Sequence, residues 1–145
     1  MYQLLPLLCL FGLSMLSACE RADPDGPLPQ KIKDEWKKRY PDADRIKDWE
    51  VDGNGYYEVR FKNDGDKLRA DFTHYGQWIE TEQTIDYKDL PKAIKEAIKG
   101  GEYDKDDIDE IERTDHYRKG LFYDVEFEID GKKIDVEYRE NGERL

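Results

Sequence analysis

Apolar and polar side chains alternate through Tyr57-Glu58-Val59-Arg60-Phe61, and after Asp64-Gly65 the alternation resumes with Leu68, Ala70 and Phe72. A period of two puts every second side chain on one face of an extended strand. An Asp-Gly pair between two such runs predicts a two-residue hairpin turn, because that turn needs positive φ at both central positions. The register follows: Phe61 faces Leu68, Val59 faces Ala70, and Tyr57 faces Phe72. The same pattern returns with the same spacing as Tyr123, Val125, Phe127, Asp130-Gly131, Ile134, Val136 and Tyr138, and Gly142 stands where the first copy has Gly76. Two hairpins therefore predict one register. Additional strands are expected around residues 49–51, 77–84 and 112–118, and Asn141-Gly142 predicts a last turn into a short terminal strand.

Between the two patterns the period changes. Leu90, Ala93, Ile94, Ala97 and Ile98 are spaced as one stripe of a helix, with Lys92, Lys95, Glu96 and Lys99 turned to water. Asp89 is the expected cap, Pro91 suits the first turn, and Gly100-Gly101 ends the run. An earlier helix is marked by Leu28, Ile32, Trp36 and Tyr40 at four-residue steps, closed by the Tyr40-Pro41 bond. Both helices open on Leu-Pro, so the repeat is a whole supersecondary unit. The expected fold class is α+β: a tandem repeat of a helix followed by a three- or four-stranded antiparallel sheet. Helices are expected to pack on one sheet face, leaving the other open. The expected units span residues 28–87 and 88–145.

Residues 1–18 are apolar and uncharged and lead into Leu16-Ser17-Ala18-Cys19, which matches the lipobox that directs lipid attachment to cysteine in bacterial lipoproteins. The stretch is too short for a membrane span. It reads as a lipoprotein signal peptide, with Cys19 the lipidated residue and the Pro- and Gly-containing segment 19–27 a flexible tether. Cys9 leaves with the signal, so the mature body is expected to hold together without a disulfide. The expected location is the cell envelope, anchored by lipid to the outer membrane and facing the periplasm.

Every charged residue follows Cys19, and the formal net charge is -11. Such a surface repels nucleic acid and anionic lipid, so no nucleic-acid partner is expected. Charged residues make up 41% of the chain, a share that favours disorder, but 12% aromatic residues set at regular intervals supply enough apolar surface for a small core.

The Leu-Pro helix starts, the Tyr-x-Val-x-Phe strands, the Asp-Gly turns, Gly76 and Asn141-Gly142 resemble the PepSY-like, β-lactamase-inhibitor-like family of exported bacterial proteins. The resemblance spans roughly the whole mature chain. It implies tandem α-plus-β repeats, an extracytoplasmic location and a non-enzymatic role in binding or restraining another protein. It carries over no catalytic residue.

Little in the residues argues for chemistry. His74 and His116 stand outside any serine, cysteine or zinc motif. The acidic run Asp104, Asp106, Asp107, Asp109 and Glu110 lacks the glycine and the terminal glutamate spacing of a calcium loop. No enzyme activity, metal site or cofactor is expected. The predicted register instead sets like charges side by side on the outward sheet face: Glu58 by Asp71, Glu126 by Asp135, and Asp124 by Glu137. Opposed like charges cost a sheet roughly a few tenths of a kcal/mol each. These six residues are the candidate binding face. Tyr56, Tyr75, Trp78 and Tyr117 are candidate aromatic anchors, since Tyr and Trp suit interfaces. The expected function is a lipid-anchored extracytoplasmic protein-binding module that restrains an envelope enzyme. A structural envelope scaffold and a cation or small-ligand sensor are the alternatives.

Overall fold

The computed structural model describes residues 22–145, so the signal segment and Cys19 lie outside the described residues. Seven strands, β1 (Ile46–Val51), β2 (Tyr57–Asn63), β3 (Asp66–Phe72), β4 (Trp78–Thr84), β5 (Ile108–His116), β6 (Gly120–Ile129) and β7 (Lys132–Tyr138), lie side by side in chain order. All their pairings are antiparallel. Two helices accompany them, α1 (Gln30–Arg39) and α2 (Lys92–Lys99). Neither is long and apolar enough to cross a membrane.

This architecture corrects the tandem repeat of helix-plus-sheet units with helices packed on one sheet face. The sheet does not stop between the two hairpin patterns. Thr84 pairs with Glu112 and Glu80 with His116, so β4 and β5 join what the sequence divides. The described residues form one seven-stranded sheet with two short α-helices of ten and eight residues. The reason is backbone pairing: two separate sheets would leave four edge strands with open N–H and C=O groups, whereas one sheet leaves two.

Both Asp-Gly turns fold as their residue types require. Asp64 and Gly65 have φ of 51° and 91°, Asp130 and Gly131 of 51° and 73°, a pair of left-handed residues matched to the strand twist. The resulting register puts Tyr57 opposite Phe72 and Val59 opposite Ala70, and likewise Tyr123 opposite Tyr138 and Val125 opposite Val136.

The buried side chains form two apolar clusters. One holds Leu28, Ile32 and Trp36 with Tyr57, Val59, Phe61 and Phe72; the other holds Leu90, Ile94 and Ile98 with Ile111, Val125, Phe127 and Tyr138. Between them, on the same side of the sheet, β4 and β5 present Thr81, Gln83, Arg113 and Asp115, which line an open groove. Arg39 at the end of α1 reaches across it to Asp115 at 3.7 Å. The expected Asp89 cap is also corrected. α2 starts at Pro91 without a side-chain cap, and Asp89 ends a short 3-10 turn instead. Ahead of α1, Ala22 lies against the first cluster and the Asp23 N–H donates to Tyr57 Oη at 2.9 Å. At the other end, the expected terminal strand is a single bridge between Tyr138 and Arg144.

Candidate functional site

The residues that alternate with the core lie on the opposite side of the sheet, and most of them are acidic. Strand by strand its carboxylates and arginines include Asp48 and Glu50, Glu58 and Arg60, Arg69 and Asp71, Glu80 and Glu82, Glu110 and Glu112, Asp124 and Glu126, and Asp135 and Glu137, and Lys62, Lys67, Thr84, Thr114, His116, Phe122 and Lys133 stand among them. All seven strands contribute carboxylates. The three like-charge pairs read from the sequence are strand neighbours here: Glu58 with Asp71, Asp124 with Glu137, and Glu126 with Asp135.

Two arginines organise the face. Arg60 spans β1 and β2, with Nη2 at 2.6 Å from Glu50 and 2.5 Å from Glu58. Arg69 stands on β3 and takes Glu82 of β4 at 2.9 Å and Glu112 of β5. At the β7 side Lys133 holds Glu126 at 2.5 Å and Lys119 holds Glu137 at 2.5 Å. Asp135 is exposed.

Among the carboxylates without an ion pair, Asp71 and Asp124 each carry a buried oxygen with no hydrogen-bond partner among the described residues. Asp71 is buried, at 7% exposure, and its Oδ1 has no hydrogen-bond partner among the described residues. Burial, with Glu82 and Glu80 beside it, pushes its carboxyl up to about 8. Asp124 Oδ1 is likewise without a partner among the described residues, and burial with Asp135 nearby pushes that carboxyl up to about 6. Burial together with Glu82 also raises Glu80 and Glu112, each to about 7.

The hairpin register already set Arg60 beside Arg69 on this face, but sequence reasoning missed Glu80, Glu82 and Glu112 as parts of it. The alternation Glu80-Thr81-Glu82 carried a signal for the β4 residues. Their alignment with Asp71 and Arg69 could not be read, because a bulge after Asp71 shifts the β3–β4 register.

The four aromatic candidates gather at one end of the sheet but do not form one surface. Tyr56 is half-buried in the β1–β2 turn, where its N–H donates to Asp52 at 2.7 Å. Trp78 packs against the first cluster, donates to Thr81 at 2.9 Å, and carries the Arg39 guanidinium 3.2 Å above its ring. Tyr75 and Tyr117 are exposed, at 64% and 50%, and stand against His74 and His116 respectively. His116 Nδ1 accepts from the N–H groups of Arg118 at 3.0 Å and Lys119 at 3.1 Å. Partial burial, then Lys119 and Arg118, hold that imidazole below its usual range. Among the described residues no three His, Cys, Asp or Glu converge as metal ligands, so the face presents charge spread along rows rather than a chelating cage.

A family model described as "Putative beta-lactamase-inhibitor-like, PepSY-like" matches residues 18–68 and 55–144. Among solved structures, a BLIP-like protein from Bacteroides fragilis is similar at TM-score 0.72 and 30% identity, covering 83% of this chain and 84% of that one. A DUF2874 family protein from Bacteroides ovatus is similar at TM-score 0.71 and 23% identity, over 83% of this chain and 86% of its own. A structure described as "putative periplasmic proteins" from Bacteroides eggerthii is similar at TM-score 0.71 and 21% identity, over 83% and 87%. The last two likenesses show the fold. No curated protein matches the chain.

Proposed function

This chain belongs to the PepSY-like family of beta-lactamase-inhibitor-like proteins, and from that premise we propose that it is an extracytoplasmic module that holds a protein partner on its acidic sheet face. The observation that carries the reading is that face itself: carboxylates from all seven strands stand opposite both apolar clusters. A surface of that sign selects a partner with a basic patch and speeds its encounter. We place the module on a lipid anchor at Cys19, in the outer membrane and facing the periplasm. The lipobox and the periplasmic description of a similar structure support that location. The partner we assign is an envelope enzyme that docking restrains.

The test uses the full chain immobilised against an envelope extract, beside a variant carrying Glu126→Lys, Asp135→Lys and Glu137→Lys. One enzyme retained in stoichiometric amount, with lowered activity and lost from the variant, is the expected result. Equal retention by both forms overturns the sheet-face reading, and recovery of a membrane assembly complex replaces restraint with scaffolding. Labelled fatty acid entering the wild-type chain but not a Cys19→Ser variant is the expected outcome for the anchor.

A further inference from the structure

The acidic face has a built centre. Glu50, Glu58, Asp71, Glu80 and His116 are successive strand partners, one from each of β1 to β5, so they form a straight row across the sheet. Side chains on such neighbours stand about 5 Å apart. The cations nearby are committed elsewhere. Arg60 is taken by Glu50, Glu58 and Asp48, Arg69 by Glu82 and Glu112, and Lys119 by Glu137. Asp71 and Glu80, adjacent in the middle of the row, have no ion pair among the described residues. Asp71 itself is more than nine-tenths buried with an unpartnered Oδ1, while Glu80 is half-buried beside it; such an oxygen is costly to keep, and a fold retains one where something completes it.

We propose that Asp71 and Glu80 form the seat for a single basic side chain, lysine or arginine, inserted by a protein partner docked on this face. The proposal rests on the sheet-face reading above and names the contact at its centre. A metal ion fits less well. Calcium takes six or more oxygens, magnesium needs a near-ideal octahedron, and no three ligating groups converge here. A side-chain ammonium or guanidinium needs only two carboxylates and matches the site's charge.

Docking is coupled to a proton. The charged and titratable groups about Asp71 and Glu80 are Glu58 on β2, Glu82 on β4, His116 on β5, Glu137 on β7, and Asp52 and Lys119 in the turns, with Arg60 and Arg69 paired to Glu58 and Glu82. Burial first, and then the excess of negative charge around them, keeps a proton on the pair near neutral pH. When the basic group arrives as a cation, that proton leaves to solvent and both carboxylates ionise against it.

A hexalysine peptide titrated into the full chain at low salt tests this, with a peptide acetylated on every side chain as control. Side-chain carboxyl carbon NMR and calorimetry in two buffers of different ionisation enthalpy are the readouts. Saturable shifts at Asp71 and Glu80 are expected, with proton release at neutral pH. Asp71→Asn and Glu80→Gln should each abolish the release and weaken binding at least about tenfold. Glu102→Gln, an exposed charge beyond α2, should change neither readout. Shifts confined to Asp124, Glu126, Asp135 and Glu137, indifferent to Asp71→Asn, overturn the seat and leave the sheet-face reading standing. No saturable shift at any carboxyl of the face overturns the seat and removes the case for a basic partner, and the capture experiment then judges the wider reading alone. Saturation of Asp71 by calcium, with hexalysine excluded, also overturns it.

Discussion

Asp71 is the residue at which sequence, burial and charge conflict most openly. Alternation assigns it to the polar side of β3, yet the side chain is 7% exposed and its strand neighbours are Glu58 and Glu80. Its carboxyl rises from the ordinary 3.8 to about 8, so the folded chain binds the proton more tightly than the unfolded chain does. That contribution to stability is fully present below about pH 4, and it is lost as pH rises through about 8. Asp71→Asn removes the ionisation and nearly keeps the shape. Calorimetry should find the variant and the parent melting together at about pH 4, and the variant melting higher at about pH 9. A variant that melts lower at the alkaline end would mean that a cation already compensates Asp71 in the free protein. The pairing of Glu58 with Asp71 was readable from the hairpin. The pairing of Asp71 with Glu80 was hidden by the bulge, and with it the centre of the row.

At the scale of elements, the Asp-Gly hairpins were the most legible part of the chain. Alternation and turn chemistry fix the same register independently, so an error in one would have contradicted the other. β4 and β5 were less legible. Apart from Trp78, Ile108 and Ile111, which pack on the clusters, their helix-side positions are the polar Thr81, Gln83, Arg113 and Asp115, which read as solvated strand. That polar middle hid the joining of the sheet. The turns that dock on helices were visible only as isolated glycines. Gly142 has φ of 84°, and a Cβ there would meet the Ala93 carbonyl oxygen of α2 at 2.7 Å; Gly76 stands similarly over Lys31 of α1, at 3.3 Å. Gly131 has φ of 73° but open space around it. Gly142→Ala should therefore cost about 3 kcal/mol, from backbone strain plus displacement of α2. Gly131→Ala should cost about 1 kcal/mol, from strain alone. Urea unfolding of both variants measures the difference, and equal costs would show that the turn does not hold the helix.

For the whole molecule, the continuity of the sheet makes a thermodynamic demand. Two apolar clusters lie on one side of it, but β4 and β5 tie them through backbone hydrogen bonds and the Arg69 bridge to Glu82 and Glu112. Ile94, fully buried in the second cluster, tests the coupling. Ile94→Ala should cost about 2–5 kcal/mol. Amide exchange should then quicken in β2 and β3 as well as in β6 and β7, because the sheet opens as one unit. Faster exchange in β6 and β7 alone would show two independently opening halves.

The order of the strands has one more consequence. Each strand pairs only with the strand before and after it in the chain, so no contact of the sheet waits for a segment made much later. A polypeptide fed amino end first through a narrow passage can thus zip shut one ribbon at a time, each new strand closing on the one made just before it.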